Sequence, residues 1–304
     1  MTEQSDNKVW ALGVTLRPVH WIKNGFVVAP LLFSGMYTET EACLRILAAV
    51  ISFCAVSSAV YILNDLRDKR EDEQHPVKKY RPIARGAVGV NTAMIMMASL
   101  VLLSLTAGWW LGSNFLLVAL LYLAVNAAYS FGIKHVAILD VMAIAAGFVL
   151  RIFAGSVAIA VEPSHWLVLC TIMISMFLGF TKRRAELVSV EGAGEHTRKV
   201  LGDYSVAFLD QVIPMVTAAT IICYALYTVD ARTLEVFGTR AMLLTVPSVM
   251  YGLFRYIYLI YHGKKGADPT ELVCRDVPTL INLVIWVIIA VAVVAKGRAF
   301  DLFG

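Results

Sequence analysis

Charge is what this sequence holds least of. Only 16% of its 304 residues are Asp, Glu, Lys or Arg and 59% are hydrophobic, whereas soluble domains carry about 25% charged residues. With a mean hydropathy of +0.72, the shortage makes a disordered chain and a soluble globular enzyme poor fits and points to a polytopic membrane protein. Cysteine is sparse too. Cys43, Cys54, Cys170 and Cys223 lie in apolar runs, Cys274 lies in a polar stretch, and no CxxC or Cys/His spacing occurs, so neither a disulfide scaffold nor a structural zinc is expected. No Ser/His/Asp set for nucleophilic catalysis is apparent, and His75 and His135 lack metal-ligand spacing. The net charge of +4 is too small an excess to imply a nucleic-acid partner. The first nine residues carry Glu3, Asp6 and Lys8 without an apolar core, so no signal peptide is expected and the N-terminus should stay cytosolic.

What is present is a series of apolar stretches. A helix needs roughly 20 residues to cross the ~30 Å hydrocarbon core, and candidates fall at about 22–38, 42–63, 91–111, 114–130, 136–160, 164–181, 206–229, 241–261 and 279–296. The pattern predicts an all-α integral membrane protein of nine helices, one polytopic domain over 1–304. Lys23, Asn24 and Pro30 make the first span the least regular. Cytoplasmic loops are enriched in Lys and Arg; placing the N-terminus inside assigns nineteen of them to cytosolic segments and five to the opposite side. The charged loops at about 64–90, 130–136, 181–205 and 262–278 are therefore expected to be cytosolic and to carry the chemistry.

The second predicted helix runs into Asn64-Asp65-Leu66-Arg67-Asp68-Lys69-Arg70-Glu71-Asp72. Offsets of three and seven place Asp65, Asp68 and Asp72 on one helical face. Like charges so spaced repel unless a cation sits among them, and oxygen-only donors suit Mg²⁺, which usually joins one or two carboxylates to substrate phosphates. The bland alternative is a solvated cap neutralised by the interleaved Arg and Lys. The sequel, His75-Pro76-Val77-Lys78-Lys79-Tyr80-Arg81-Pro82-Ile83-Ala84-Arg85-Gly86, supplies four cations on a proline-stiffened loop, and the forks of Arg81 and Arg85 suit phosphate oxygens.

Asn64-Asp65-x-x-Asp68-x-x-x-Asp72 followed by Arg81-Pro82 and Gly86 resembles the first signature of the UbiA prenyltransferase superfamily. Trp21-Ile22-Lys23-Asn24 with Pro30, and Tyr129-Ser130-Phe131-Gly132-Ile133-Lys134, also have counterparts there. The resemblance implies a UbiA-like helical bundle in the membrane, Mg²⁺ held by Asn64, Asp65, Asp68 and Asp72 with the three aspartates catalytic, and an active site facing the cytosol. It departs from the usual members at the end of the sixth predicted helix, where Thr181-Lys182-Arg183-Arg184 stands in place of a second aspartate-rich motif. That departure, with Arg198-Lys199-Val200-Leu201-Gly202-Asp203-Tyr204-Ser205 and Asp268-Pro269-Thr270-Glu271, is similar to the decaprenyl-phosphate phosphoribosyltransferase branch. Its members use phosphoribosyl pyrophosphate as donor and a polyprenyl phosphate as acceptor in the bacterial plasma membrane. Attack by a lipid phosphate needs no general base, because the nucleophile is already an anion. Separate cations must hold the remaining phosphates. Candidate substrate-binding residues are therefore Lys23, Asn64, Arg81, Arg85, Tyr129, Lys134, Lys182, Arg183, Arg184 and Arg198. Asp140, an intramembrane carboxylate, is a candidate for ribose hydroxyls, while Arg151 is expected to serve a structural partner. The competing expectations are a prenyl diphosphate to aromatic acceptor prenyltransferase and a transporter.

Overall fold

The computed structural model describes residues 8–75, 77–190, 199–262 and 276–296, and every regular element among them is helical. In chain order these are α1 (Lys8–Thr15), α2 (Ala29–Phe33), α3 (Thr40–Arg67), α4 (Lys69–Gln74), α5 (Val90–Leu111), α6 (Ser113–Phe131), α7 (Leu139–Ala158), α8 (His165–Val190), α9 (Val206–Val229), α10 (Ala231–Phe237), α11 (Val246–His262) and α12 (Val277–Lys296). Among the described residues eight helices are long and apolar enough to cross a membrane: α3, α5, α6, α7, α8, α9, α12 and the run Ala241–His262 that ends in α11.

The continuous first span expected at 22–38 is not there. That stretch consists of a 3-10 segment Pro18–Val27, the short α2, and a 3-10 turn Met36–Thr38. Pro30 has no N–H with which to continue a helix. Asn24 turns its amide toward α3, 3.2 Å from Cys54 Sγ and 3.4 Å from Ser57 Oγ.

Two compact units divide the chain: Met1–Ile133 with Gly147–Pro163, and Lys134–Ala146 with Ser164–Gly304. Helix α7 contributes its first turns to the second unit and the remainder to the first. Helices in lipid gain little from hydrophobic association and rely on close packing and hydrogen bonds. In the first unit Phe53 packs against Phe115 and Tyr122, and Ser52 and Ser104 share a 2.9 Å hydrogen bond between α3 and α5. Gly155 lets α7 touch the irregular segment, since a Cβ there would lie 2.0 Å from the Val27 carbonyl. Arg151 is buried and donates to Asn24 Oδ1 (2.9 Å), the Gly147 carbonyl (2.8 Å) and Tyr122 Oη (2.8 Å). This single guanidinium ties the broken segment to α6 and α7.

The second unit gathers Val141, Phe177, Phe180, Leu209, Ile213 and Tyr256 in its core. A Cβ on Gly179 would meet Val141 Cγ1 at 2.5 Å, so α8 lies directly on the start of α7. Ser205 opens α9 by accepting from the Phe208 amide at 3.1 Å, a cap worth about 1 kcal/mol.

Candidate functional site

The acidic motif ends α3, but the helix does not continue through it. Asp68 (φ −87°, ψ 6°) breaks the backbone, and α4 restarts at Lys69. The one-face reading of Asp65, Asp68 and Asp72 assumed unbroken helical geometry and is corrected on that point. Asp65 and Asp72 nevertheless converge, because the following loop folds back under α3. Ile83 and Val88 bury themselves with Ile62, Ala93 and Ala11. Backbone bonds from Arg85 to Arg81 (2.9 Å), Gly86 to Ile83 (3.3 Å) and Val88 to Pro82 (3.1 Å) fix the turn that carries Arg81.

Arg81 reaches both acids with one nitrogen: its Nη1 donates to Asp72 Oδ2 at 2.6 Å and to Asp65 Oδ1 at 3.1 Å. Arg17 Nη2 donates to the same Asp65 oxygen at 2.5 Å, and Lys78 Nζ lies 3.9 Å from Asp72 Oδ1. The aspartates are only 4% and 2% exposed. Charges so buried persist only when paired. Arg17 belongs to no motif in the sequence, yet it is a partner of Asp65. It sits before Pro18 in a left-handed conformation (φ 53°, ψ 57°), whereas a residue preceding proline normally stays extended. Strain of this kind collects at functional sites. The Asn64 amide oxygen accepts a short hydrogen bond from Ser130 of α6.

Among the described residues no three His, Cys, Asp or Glu side chains gather closely enough to cage a metal. Two buried carboxylates whose oxygens converge on one atom do fit Mg²⁺, which keeps several waters and binds through one or two carboxylates plus phosphates. Asp65 and Asp72 are the residues that would hold it.

In the second unit the run Lys182-Arg183-Arg184 separates by direction. Arg183 is buried; its Nε donates to Asp140 Oδ2 and its Nη1 to Glu186 Oε2, both at 2.6 Å. Asp140 also accepts from Tyr204 Oη at 2.7 Å, and that phenol accepts from the Ile138 amide at 2.6 Å. Burial first, and then its bond to Asp140, push the Tyr204 phenol well above its ordinary range, so it remains a donor. Arg184 Nε donates to Asp210 Oδ1 at 2.6 Å and its guanidinium stacks 3.6 Å from the Tyr261 ring centroid. Lys182 is exposed and Lys134 half-buried, in a 3-10 turn before α7. In the first unit Lys23 and Tyr129 are half-buried and Arg85 is exposed. Arg198 and the Asp268–Glu271 motif lie outside the described residues.

The UbiA prenyltransferase family model matches residues 27–273. The chain belongs to this family. It is 34% identical over 291 residues, 92% of this chain and 91% of the relative, to the decaprenyl-phosphate phosphoribosyltransferase of Mycolicibacterium smegmatis. It is 31% identical over 276 residues, 90% and 83% of the two chains, to the enzyme of that name from Corynebacterium glutamicum. Among solved structures, a UbiA homolog from Archaeoglobus fulgidus bound to GPP and Mg²⁺ superposes with a TM-score of 0.68 at 17% identity, covering 95% of this chain and all of that one. This likeness shows that the UbiA fold extends over nearly the whole chain.

Proposed function

We propose that the protein transfers the 5-phosphoribosyl group of phosphoribosyl pyrophosphate to a polyprenyl phosphate and releases pyrophosphate. The observation that carries this reading is the relationship, at 31–34% identity over nine tenths of the chain, to decaprenyl-phosphate phosphoribosyltransferases. The residues agree with it: a buried carboxylate pair, Asp65 in α3 and Asp72 in α4, follows the second predicted span, while Lys182-Arg183-Arg184 stands in the C-terminal part of α8, where a diphosphate-only prenyltransferase would place a second acidic motif.

A lipid phosphate oxygen attacks the anomeric carbon of the ribose, the bond to pyrophosphate breaks, and pyrophosphate leaves with the electron pair. Mg²⁺, when bound, supplies Lewis-acid help to that leaving group. Asp65 and Asp72 hold the position for it, with Asn64 and Asp68 beside them in the motif. Arg17 balances the charge of Asp65, and Arg81 and Arg85 offer forks to pyrophosphate oxygens. Lys23, Lys134, Lys182 and Arg184, with Tyr129 and Arg198, bind the phosphates of donor and acceptor. Asp140 and Arg183 are bonded to each other and act on the substrate by fixing the start of α7, which follows Lys134.

The same reading places the protein in a bacterial plasma membrane, with the N-terminus and the site in the cytosol and no nucleic acid involved. The segments Pro18–Val27, α2 and Met36–Thr38, laid end to end at about 2.0 Å per 3-10 residue and about 1.5 Å per α residue, reach roughly the ~30 Å of a bilayer core. They would thus make a ninth crossing. Mass spectrometry of the lipid formed when purified protein meets phosphoribosyl pyrophosphate, polyprenyl phosphate and Mg²⁺ tests the assignment. A mass gain of one phosphoribosyl group is expected, and an unchanged lipid would reject it.

A further inference from the structure

The cations around the α3 carboxylates are not equivalent. Arg17 touches Asp65 alone, and Lys78 stands 3.9 Å from Asp72. Arg81 alone occupies the point on which both acids converge, with Nη1 at 2.6 and 3.1 Å from them. That point is where a divalent cation shared by the two acids would have to sit, and one position cannot hold both cations. Among the described residues no hydrogen bond is made by Arg81 Nε or Nη2, so a whole edge of its fork stays available to an oxyanion. The side chain is 29% exposed, whereas the two carboxylates it bridges are nearly inaccessible, which leaves the guanidinium room to turn.

We propose that Arg81 is the exchangeable counter-ion of this site. Its guanidinium bridges Asp65 and Asp72 until it yields that position to a divalent cation bound with pyrophosphate, and it then turns its fork onto the phosphate oxygens while Arg17 stays on Asp65. The proposal rests on reading Asp65 and Asp72 as the metal–pyrophosphate site. Charge explains why the exchange needs both ligands. Two carboxylates already face three cations, Arg17, Lys78 and Arg81, so a divalent ion entering alone adds to an excess of positive charge and expels an arginine into solvent. A pyrophosphate group arriving with it cancels the excess and gives the displaced guanidinium a bidentate partner. Metal and pyrophosphate should therefore bind synergistically, each weak without the other.

The test measures Mn²⁺ bound to full-length protein in detergent by electron paramagnetic resonance, with and without pyrophosphate. Wild type is expected to bind Mn²⁺ weakly alone and much more tightly with pyrophosphate. In Arg81→Gln, Mn²⁺ alone should bind roughly tenfold tighter or more, and the enhancement by pyrophosphate should shrink by a similar factor, the scale of one lost charge-assisted bond. Arg81→Lys keeps the charge without the fork. It should bind Mn²⁺ alone as weakly as wild type and lose part of the enhancement, so it carries the test if the Gln variant does not fold. Unchanged enhancement in both variants, or Mn²⁺ alone binding no tighter in a folded Arg81→Gln, overturns the exchange while leaving the metal site standing. Absence of Mn²⁺ binding by wild type even with pyrophosphate overturns the metal site itself, and the exchange with it.

Discussion

The charged cluster where α3 meets α4 and the one in the C-terminal part of α8 both bury carboxylates against arginine, yet they are built differently. Asp65 and Asp72 face arginines that are one-fifth to one-third exposed and that come from irregular segments on either side of α3. Asp140 and Arg183 are 0% and 2% exposed and stand on two helices pressed together at Gly179. A pair held by partly exposed partners can change partners; a pair sealed between helices cannot without opening the helix contact. On the proposed reading the α3 cluster carries the chemistry, and the Asp140–Arg183 pair fixes the junction of α7 with α8.

Substitution separates the two regions most sharply. Asp72→Asn should fold and yet lose roughly a hundredfold or more in kcat, because metal help to the leaving group amounts to several kcal/mol; Asp65→Asn should match it, and Asp68→Asn should lose less. Chelation by EDTA should stop turnover in wild type. Full activity in EDTA would reduce the cluster to a structural ion-pair network. Arg183→Met should behave in the opposite way, since it strands Asp140 in the interior at about 3–5 kcal/mol. Thermal unfolding in detergent should show a large fall in Tm, and replacing Asp140 by Leu as well should restore part of it. An Arg183→Met protein with native Tm but no activity would make Arg183 a substrate ligand after all.

A smaller effect is expected at the lysines of the second unit. Lys182→Ala and Lys134→Ala should each raise KM for a phosphate-bearing substrate, with a lost charge-assisted bond worth about 1.5–3 kcal/mol, and leave Tm unchanged. Native kinetics in both would assign these lysines to anchoring at the membrane surface. The smallest effect concerns Asp276, whose carboxyl is held below its usual range by the Arg255 fork at 2.7 and 3.0 Å and then by Thr279. A folded pKa below the unfolded value of about 3.9 means that this pair stabilises the protein at neutral pH and stops doing so as pH falls below about 4. The Tm difference between wild type and Asp276→Asn should therefore narrow on acidification. A difference that is constant with pH would show that the pair contributes nothing.

Membrane character and eight of the spans were legible because twenty-residue apolar runs leave little alternative in lipid. The broken first segment was harder to read, since Lys23, Asn24 and Pro30 interrupt a stretch whose overall apolarity still resembles a span. Asp65 and Asp72 stood out by their spacing, but their convergence depends on the loop anchored by Ile83 and Val88, and on a helix break at Asp68 that spacing does not reveal. Arg17 lies 48 residues from its partner, and nothing local marks it except the following proline. Lys182, Arg183 and Arg184 read as equivalent cations in the sequence. Successive helical residues, however, point about 100° apart, so a run of three could not all face one way, and the buried member was available to that argument.

The most direct measurement counts pyrophosphate released by purified wild-type protein supplied with phosphoribosyl pyrophosphate, polyprenyl phosphate and Mg²⁺, alongside the same protein offered a prenyl diphosphate and an aromatic acid. The account predicts one pyrophosphate per phosphoribosylated lipid in the first mixture, none when either substrate is omitted, and no product in the second. Prenylation of the aromatic acid with phosphoribosyl pyrophosphate left intact would contradict it.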